Sequence, residues 1–263
     1  MSALVHQVRL FFVALQFFTR VPVPGWVGFD HAWLHQCTRY FPLVGLGVGA
    51  VVAGVYFLAS LVWPAPVAAL LSTAAGIYLT GAFHEDGFAD MCDGFGGGIT
   101  RERVFEIMKD SRLGTYGTVG AGLIIALKCT LLAMLPPAAA IAALLLAHPL
   151  SRLAAASLIW RLDYAKDEGK AKPMGQEMTG PEFATACACG LLPGVVLAAL
   201  GLLLWPVVAG AVLAAFAAAA WLGAKCVARI GGYTGDCLGA VQQLAEVAVY
   251  LCVVAGLQQG AWH

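Results

Sequence analysis

Four carboxylates, Glu85, Asp86, Asp90 and Asp93, stand within nine residues at the end of a long apolar run, and Gly96-Gly97-Gly98 follows them. If the run stays helical, Asp86, Asp90 and Asp93 share one face, because residues three, four and seven apart stack. Like charges so placed repel, and a divalent cation would offset them. Hard cations take oxygen ligands, and Mg²⁺ typically combines one or two carboxylates with waters and substrate phosphate. Glu85, Asp86, Asp90 and Asp93 are therefore the candidate catalytic and metal-binding set, with Mg²⁺ as the expected ion. A solvated acidic loop between two membrane spans is the alternative reading.

A basic segment comes next. Thr100 has the chemistry to cap a short helix that starts near Arg103 and Glu106. Lys109 and Arg112 close that helix beside Ser111, Gly114 and Gly117, and cations next to flexible glycine backbone suit phosphate oxygens. Two further cations, Lys128 and Arg152, lie inside apolar runs, where ionisable groups are costly and usually face a polar interior. Arg152 stands near a span end and within reach of the site; Lys128 either joins a polar interior or snorkels. Asp236, amid the glycines of 231–239, is a helix N-cap or else a further metal or substrate ligand. Lys109, Ser111, Arg112, Arg152 and Asp236 are the candidate substrate and phosphate contacts. Aspartates on Mg²⁺ beside such cations suggest phosphoryl-type transfer from a nucleotide-activated donor, with a carboxylate taking the proton of an attacking hydroxyl.

Helices that cross a membrane must position these groups. Of the 263 residues, 60% are hydrophobic and 11% charged, where an ordinary chain has about 25% charged residues. With a mean hydropathy of +0.82, the sequence falls in the polytopic membrane class. A net charge of +0 points to no nucleic-acid partner. The eight cysteines, with no Cys-x-x-Cys pair, read as small core hydrophobes rather than zinc ligands or disulfides. Residues 1–20 lack a small-residue cleavage site and are short for a span, which predicts an interfacial or re-entrant helix kept in the mature protein.

About seven crossings follow, near 41–62, 67–83, 117–135, 138–160, 183–204, 207–228 and 240–257. The expected fold is all-α: a polytopic membrane helix bundle forming one membrane-embedded catalytic domain over 1–263. Gly45 and Gly49 offer the first span a small face for close packing. Turns at 63–66, 136–137 and 205–206 and the tail 258–263 carry no charged residue, whereas 84–116, 161–182 and 229–239 carry most of them. Among these are Arg101, Arg103, Arg161, Lys166, Lys170, Lys172 and Arg229. Such a Lys and Arg bias orients the charged loops toward the cytoplasm, so the acids, the bases and 231–239 should share one membrane face.

Several blocks resemble a known family. They are Leu15-Gln16-Phe17-Phe18-Thr19-Arg20-Val21-Pro22-Val23-Pro24, Phe41-Pro42-Leu43-Val44-Gly45, and His84-Glu85-Asp86-Gly87-Phe88-Ala89-Asp90 with Asp93-Gly94. Two more are Met108-Lys109-Asp110-Ser111-Arg112-Leu113-Gly114-Thr115-Tyr116-Gly117 and Gly235-Asp236-Cys237-Leu238-Gly239-Ala240. In order and over nearly the whole chain, they look like the cobalamin-5′-phosphate synthases, also called adenosylcobinamide-GDP ribazoletransferases. The resemblance implies the last assembly step of vitamin B12 synthesis in the bacterial inner membrane. The hydroxyl of α-ribazole or its 5′-phosphate attacks the phosphate on adenosylcobinamide, GMP leaves, and Mg²⁺ is required. A homo-oligomer is compatible with such a bundle. More distantly the chain resembles the CDP-alcohol phosphotransferases, but Asp90 follows Ala89 where their Asp-Gly-x-x-Ala-Arg signature has Arg after Ala, and the acids are more tightly spaced. The rival from another class is a transporter or channel, which predicts acids at mid-span and an inverted repeat. A non-catalytic scaffold would need no clustered acids and bases.

Overall fold

Prolines and glycines at the ends of the apolar runs set the limits of the helices. The computed structural model describes residues 3–165 and 177–258. In chain order the helices are α1 (Ala3–Phe18), α2 (Trp33–Gln36), α3 (Phe41–Ser60), α4 (Ala65–Thr80), α5 (Phe83–Gly97), α6 (Arg101–Lys109), α7 (Thr115–Ala133), α8 (Pro137–Arg161), α9 (Gly180–Ala199), α10 (Trp205–Ile230) and α11 (Gly235–Gln258). In α3, α4, α8, α9 and α10 a proline occupies the first turn, where its missing N–H removes no helical hydrogen bond. Thr100 caps α6 as expected, accepting from the Arg103 amide. No β-strand forms among the described residues. Lys166, Lys170, Lys172 and the end of the tail lie outside them.

Among the described residues six helices are long and apolar enough to cross a membrane, and a seventh crossing is counted if α4 and α5 form one bent span. The chain is a multi-pass membrane protein. Where the hydropathy pattern predicts a single second span over 67–83, the helix instead breaks, and α5 leaves α4 at 89°. Gly81 and Ala82 make the bend, both in the left-handed region with φ 67° and 60°. For Ala82 this costs roughly 1–2 kcal/mol. Two hydrogen bonds close the turn, Gly81 N–H to the Tyr78 carbonyl and Ala82 N–H to the Ile77 carbonyl, a pattern typical of helix ends. Arg20, just after α1, pins the outside of the bend. Its amide donates to the Leu79 carbonyl at 2.9 Å, and its guanidinium lies over the Tyr78 ring.

α8 is the axis of the bundle, with most of its residues buried against α3, α9 and α11. The glycine face expected on α3 is where those two helices meet. A Cβ on Gly45 would lie 2.5 Å from the His148 carbonyl oxygen, and one on Gly49 would lie 3.0 Å from the Leu144 carbonyl oxygen. At one end of the bundle the charged loops are stitched together. Arg101 donates to the Ala165 carbonyl, Arg229 to the Gly98 carbonyl, and the backbones of Tyr164 and Tyr233 pair. All eight cysteines are free thiols, buried or half-buried.

The α3–α8 contact yields a direct test. Gly45→Leu should lower the thermal unfolding midpoint in detergent by several degrees, the expected result of overpacking that costs about 1–3 kcal/mol. Gly47→Leu on the same helix, where a Cβ meets nothing within 4 Å, should leave the midpoint unchanged.

Candidate functional site

The start of α5 carries Glu85 into the bundle interior while the next residue, Asp86, faces out. Adjacent helical positions point about 100° apart, so one acid is largely enclosed and the other exposed. Glu85 accepts from Gln243 Nε2 at 2.9 Å and lies 3.9 Å from Lys128 Nζ. Lys128 stands 3.1 Å from Glu246 on α11. On α11, Gln242, Glu246 and Tyr250 follow one another at intervals of four and form one stripe. Glu246 accepts from Gln242 Nε2 at 2.7 Å and from the Tyr250 hydroxyl at 2.9 Å. Gln242 also donates to Ser151 on α8, the residue before Arg152 and about one turn from His148. A void of about 30 Å³ lies within this cluster, room enough for water. Glu85 Oε2, His84 Nε2, Gln243 Oε1 and Arg152 Nε belong to residues that line it, and none of these buried atoms has a partner among the described residues.

Asp93, two turns on, is also engaged. Its oxygens accept from the Gly114 and Gly117 amides at 2.7 and 2.8 Å. A carboxylate supplied from a neighbouring helix thus satisfies two amide N–H groups at the α7 N-terminus and complements the α7 dipole. A Cβ on Gly114 or Gly117 would collide with that carboxylate, so glycine at both positions admits it.

Asp86 and Asp90 remain. Neither side chain makes a hydrogen bond or ion pair to any described residue. Asp86 is exposed and Asp90 half-buried, and the charges of Asp86, Asp236 and Asp93 all act on Asp90. Asp236 arrives because α5 and α11 touch at glycines. A Cβ on Gly87 would lie 3.0 Å from the Asp236 Cα, and one on Gly239 would lie 3.2 Å from the His84 carbonyl oxygen. Thr234 Oγ1 accepts from the Cys237 amide and so stands as the cap, with Asp236 in the first helical turn; the N-cap reading of Asp236 does not hold. Nearby Tyr164, in the loop after α8, is pushed up to about 12 by burial and then by the charges of Asp236 and Cys237, and stays a protonated phenol.

The structure therefore divides the expected acidic set. Glu85 turns inward and Asp93 to α7, while Asp86 and Asp90 stay together with Asp236 close by. Among the described residues no three His, Cys, Asp or Glu side chains form a ready cage for a metal. Asp86 and Asp90 match instead the smaller requirement of Mg²⁺, one or two carboxylates with water and phosphate.

Of the basic candidates, Lys109, Ser111 and Arg112 are exposed at the α6–α7 turn. Arg112 donates from Nε and Nη2 to Asp110, and this pairing holds the Asp110 carboxyl down to about 2. Arg152 is buried, 3.1 Å from the His148 carbonyl oxygen through Nη1. Lys128 does not snorkel; it is the cation between two glutamates. Sequence reasoning passed over Glu246, Gln242, Gln243, His84 and His148. A glutamate inside the last apolar run carries the same signal that singled out Lys128 and Arg152.

Comparison with known proteins now bears on these positions. The family model described as cobalamin-5-phosphate synthase matches residues 10–254. The chain belongs to that family. A Leptothrix cholodnii protein named adenosylcobinamide-GDP ribazoletransferase is 48% identical over 98% of this chain and 99% of its own length. Proteins of the same name are 46% identical in Shewanella frigidimarina, over 95% of each chain, and 41% identical in Vibrio cholerae, over 96% of each. No solved structure matches the chain. As a cobalamin-5-phosphate synthase family member the protein is an enzyme of cobalamin synthesis, and the transporter, channel and scaffold readings fall away. The glutamates at depth, which a transporter reading would claim, are paired with Lys128.

Removing one partner of a buried ion pair costs about 3–5 kcal/mol, because the other charge is left uncompensated. Lys128→Met should therefore lower the unfolding midpoint markedly in detergent. The double variant Lys128→Met, Glu246→Gln should be more stable than the single one, and thermal melts of the three proteins decide this.

Proposed function

We propose that the protein joins adenosylcobinamide-GDP to α-ribazole or α-ribazole 5′-phosphate and releases GMP, on the cytoplasmic side of the bacterial inner membrane. The names of its full-length relatives support the substrates. The orientation rests on the charged loops that converge at one end of the bundle. The single observation that carries the chemistry is the Asp86–Asp90 pair, one helical turn apart, next to Asp236 and without partners among the described residues.

Asp86 and Asp90 are the residues that would hold Mg²⁺. Bound there, the ion would neutralise the diphosphate and stabilise the leaving phosphate of GMP. The ribazole hydroxyl oxygen forms a bond to the phosphorus attached to cobinamide, and the phosphoanhydride bond to GMP breaks. The hydroxyl proton passes to a carboxylate, and Asp236, beside the pair, is placed to take it. Glu85 is poorly suited to that task, since Gln243 and Lys128 hold it in the interior. Its part is to fix the first turn of α5, which carries Asp86. Asp93 likewise locks α5 to α7 and sets the direction of the turn that bears Asp90.

Assayed in nanodiscs with adenosylcobinamide-GDP, α-ribazole and Mg²⁺, Asp90→Asn and Asp86→Asn should each lower GMP release by about 100-fold or more. Membrane insertion and thermal midpoint should stay as in the parent chain. Removal of divalent ions with EDTA should stop the reaction and added Mg²⁺ should restore it. Turnover close to the parent's in Asp90→Asn would sink the assignment.

A further inference from the structure

A cavity of about 630 Å³ lies between α1, α2, the first turn of α5, α8 and α11, and its wall includes His84, two residues before Asp86. That size falls within the roughly 300–1,000 Å³ of small-molecule sites. Its wall is largely aromatic, with Phe17, Phe18, Phe83, Tyr164 and Tyr233. Polar side chains interrupt the wall: His31 and His35 at α2, and His84, Arg152 and Gln242 from α5, α8 and α11. His84 Nε2 and Arg152 Nε are buried and have no partner among the described residues.

Arg152 is only 2% exposed and its guanidinium sits 5.9 Å from the Phe18 ring centroid, with no carboxylate of a described residue at ion-pair distance. The nearest acids, Glu85 and Glu246, are taken by Lys128. Buried charges in proteins are normally paired. Among the described residues Arg152 bonds only to His148 on its own helix, through Nη1, and its Nε stays unpaired. That nitrogen and the unpaired His84 Nε2, from residues in the wall of an aromatic cavity, match a flat ring that carries an anionic group.

We propose that this cavity is the acceptor subsite: it takes a nucleoside with a flat aromatic base, and Arg152 meets its phosphate. The assignment rests on the transferase reading above. A corrinoid, with its macrocycle and amide arms, is far larger than a nucleoside, so the donor stays outside and only its diphosphate reaches Asp86 and Asp90. Gly235, at the start of α11, lines the cavity, and the proposal sets the ribose hydroxyl at that end, toward the helical turn that carries Asp236. Acceptor and donor then have separate subsites that meet at the first turn of α11.

The test is steady-state kinetics of the full chain in nanodiscs, with adenosylcobinamide-GDP, α-ribazole and α-ribazole 5′-phosphate each varied in turn. Ala155→Phe, which fills the cavity from α8, should raise the KM for both acceptors by about tenfold and leave the donor KM within about twofold. Arg152→Gln should raise KM more for the phosphorylated acceptor than for the free nucleoside, and Arg152→Lys should recover part of the difference. A rise in donor KM alone, or no change in acceptor KM, overturns the cavity assignment. Equal losses for both acceptors in Arg152→Gln overturn the phosphate contact. Should Ala155→Phe not fold, hydrogen exchange of the parent chain with α-ribazole 5′-phosphate alone decides the question. Protection at 155–159 and 233–239 supports the subsite, and protection confined to other segments overturns it. A parent chain that releases no GMP with both substrates present overturns the transferase reading itself, a result separate from all of these.

Discussion

A lysine buried between two glutamates is the constraint on which the rest depends. Lys128 comes from α7, Glu85 from α5 and Glu246 from α11, so one cation ties together three helices. Gln242 extends the tie to α8 through Ser151. Such a pair adds little net stability, because desolvation offsets most of the attraction. What it supplies is register: a charge at this depth without its partner is so costly that helices slipped by a turn are excluded. The first turn of α5 is thereby fixed in rotation, and rotation decides which acids face outward.

α5 illustrates how one short helix is partitioned by its neighbours. Glu85 goes to the interior network, Asp93 goes to the α7 amides, and Asp86 and Asp90 are left over. Repulsion among the remaining acids is not relieved by any described side chain. Stabilisation spent on Glu85 and Asp93 thus holds two carboxylates in an arrangement that they would not adopt alone. The left-handed turn at Gly81-Ala82 belongs to the same device, since without it α4 would continue straight and carry the acids along its own axis. Ala82 is strained there, and strain of this kind persists only where the surroundings over-determine it; Arg20 and the packing of α5 on α11 do so.

Glycine makes these approaches close enough. Gly45 and Gly49 let α3 touch the α8 backbone beside His148, Gly87 and Gly239 let α5 touch α11, and Gly114 and Gly117 open two amides to Asp93. In an apolar bundle, where burial of hydrocarbon does not distinguish helix neighbours from lipid, such close packing and internal polar contacts are the main forces that bring helices together. The polar interior and the glycine contacts therefore act at the same crossings. The aromatic cavity lies where they stop, between the bundle and the α1 segment.

The sequence by itself determined the all-α membrane class, because apolar runs of spanning length leave little else for the chain to be. It also determined the ends of most long helices, through proline in the first turn, the Thr100 cap, the Gly45/Gly49 face and the convergence of charged loops, all of which are local in origin. Family membership was legible from ordered motifs for the same reason. Tertiary structure alone decided the fates of the four clustered acids. Spacing along α5 places Asp86, Asp90 and Asp93 on one face, but it carries no information about which neighbour reaches each carboxylate first. Lys128, Gln243, Gly114 and Gly117 lie between 21 and 158 positions away from the acids they hold. The break at Ala82 was likewise invisible, since its residue type argues against a left-handed backbone and only packing from outside compels it. Charge and shape act through space, and the helix carrying these acids obtains its meaning from what stands around it.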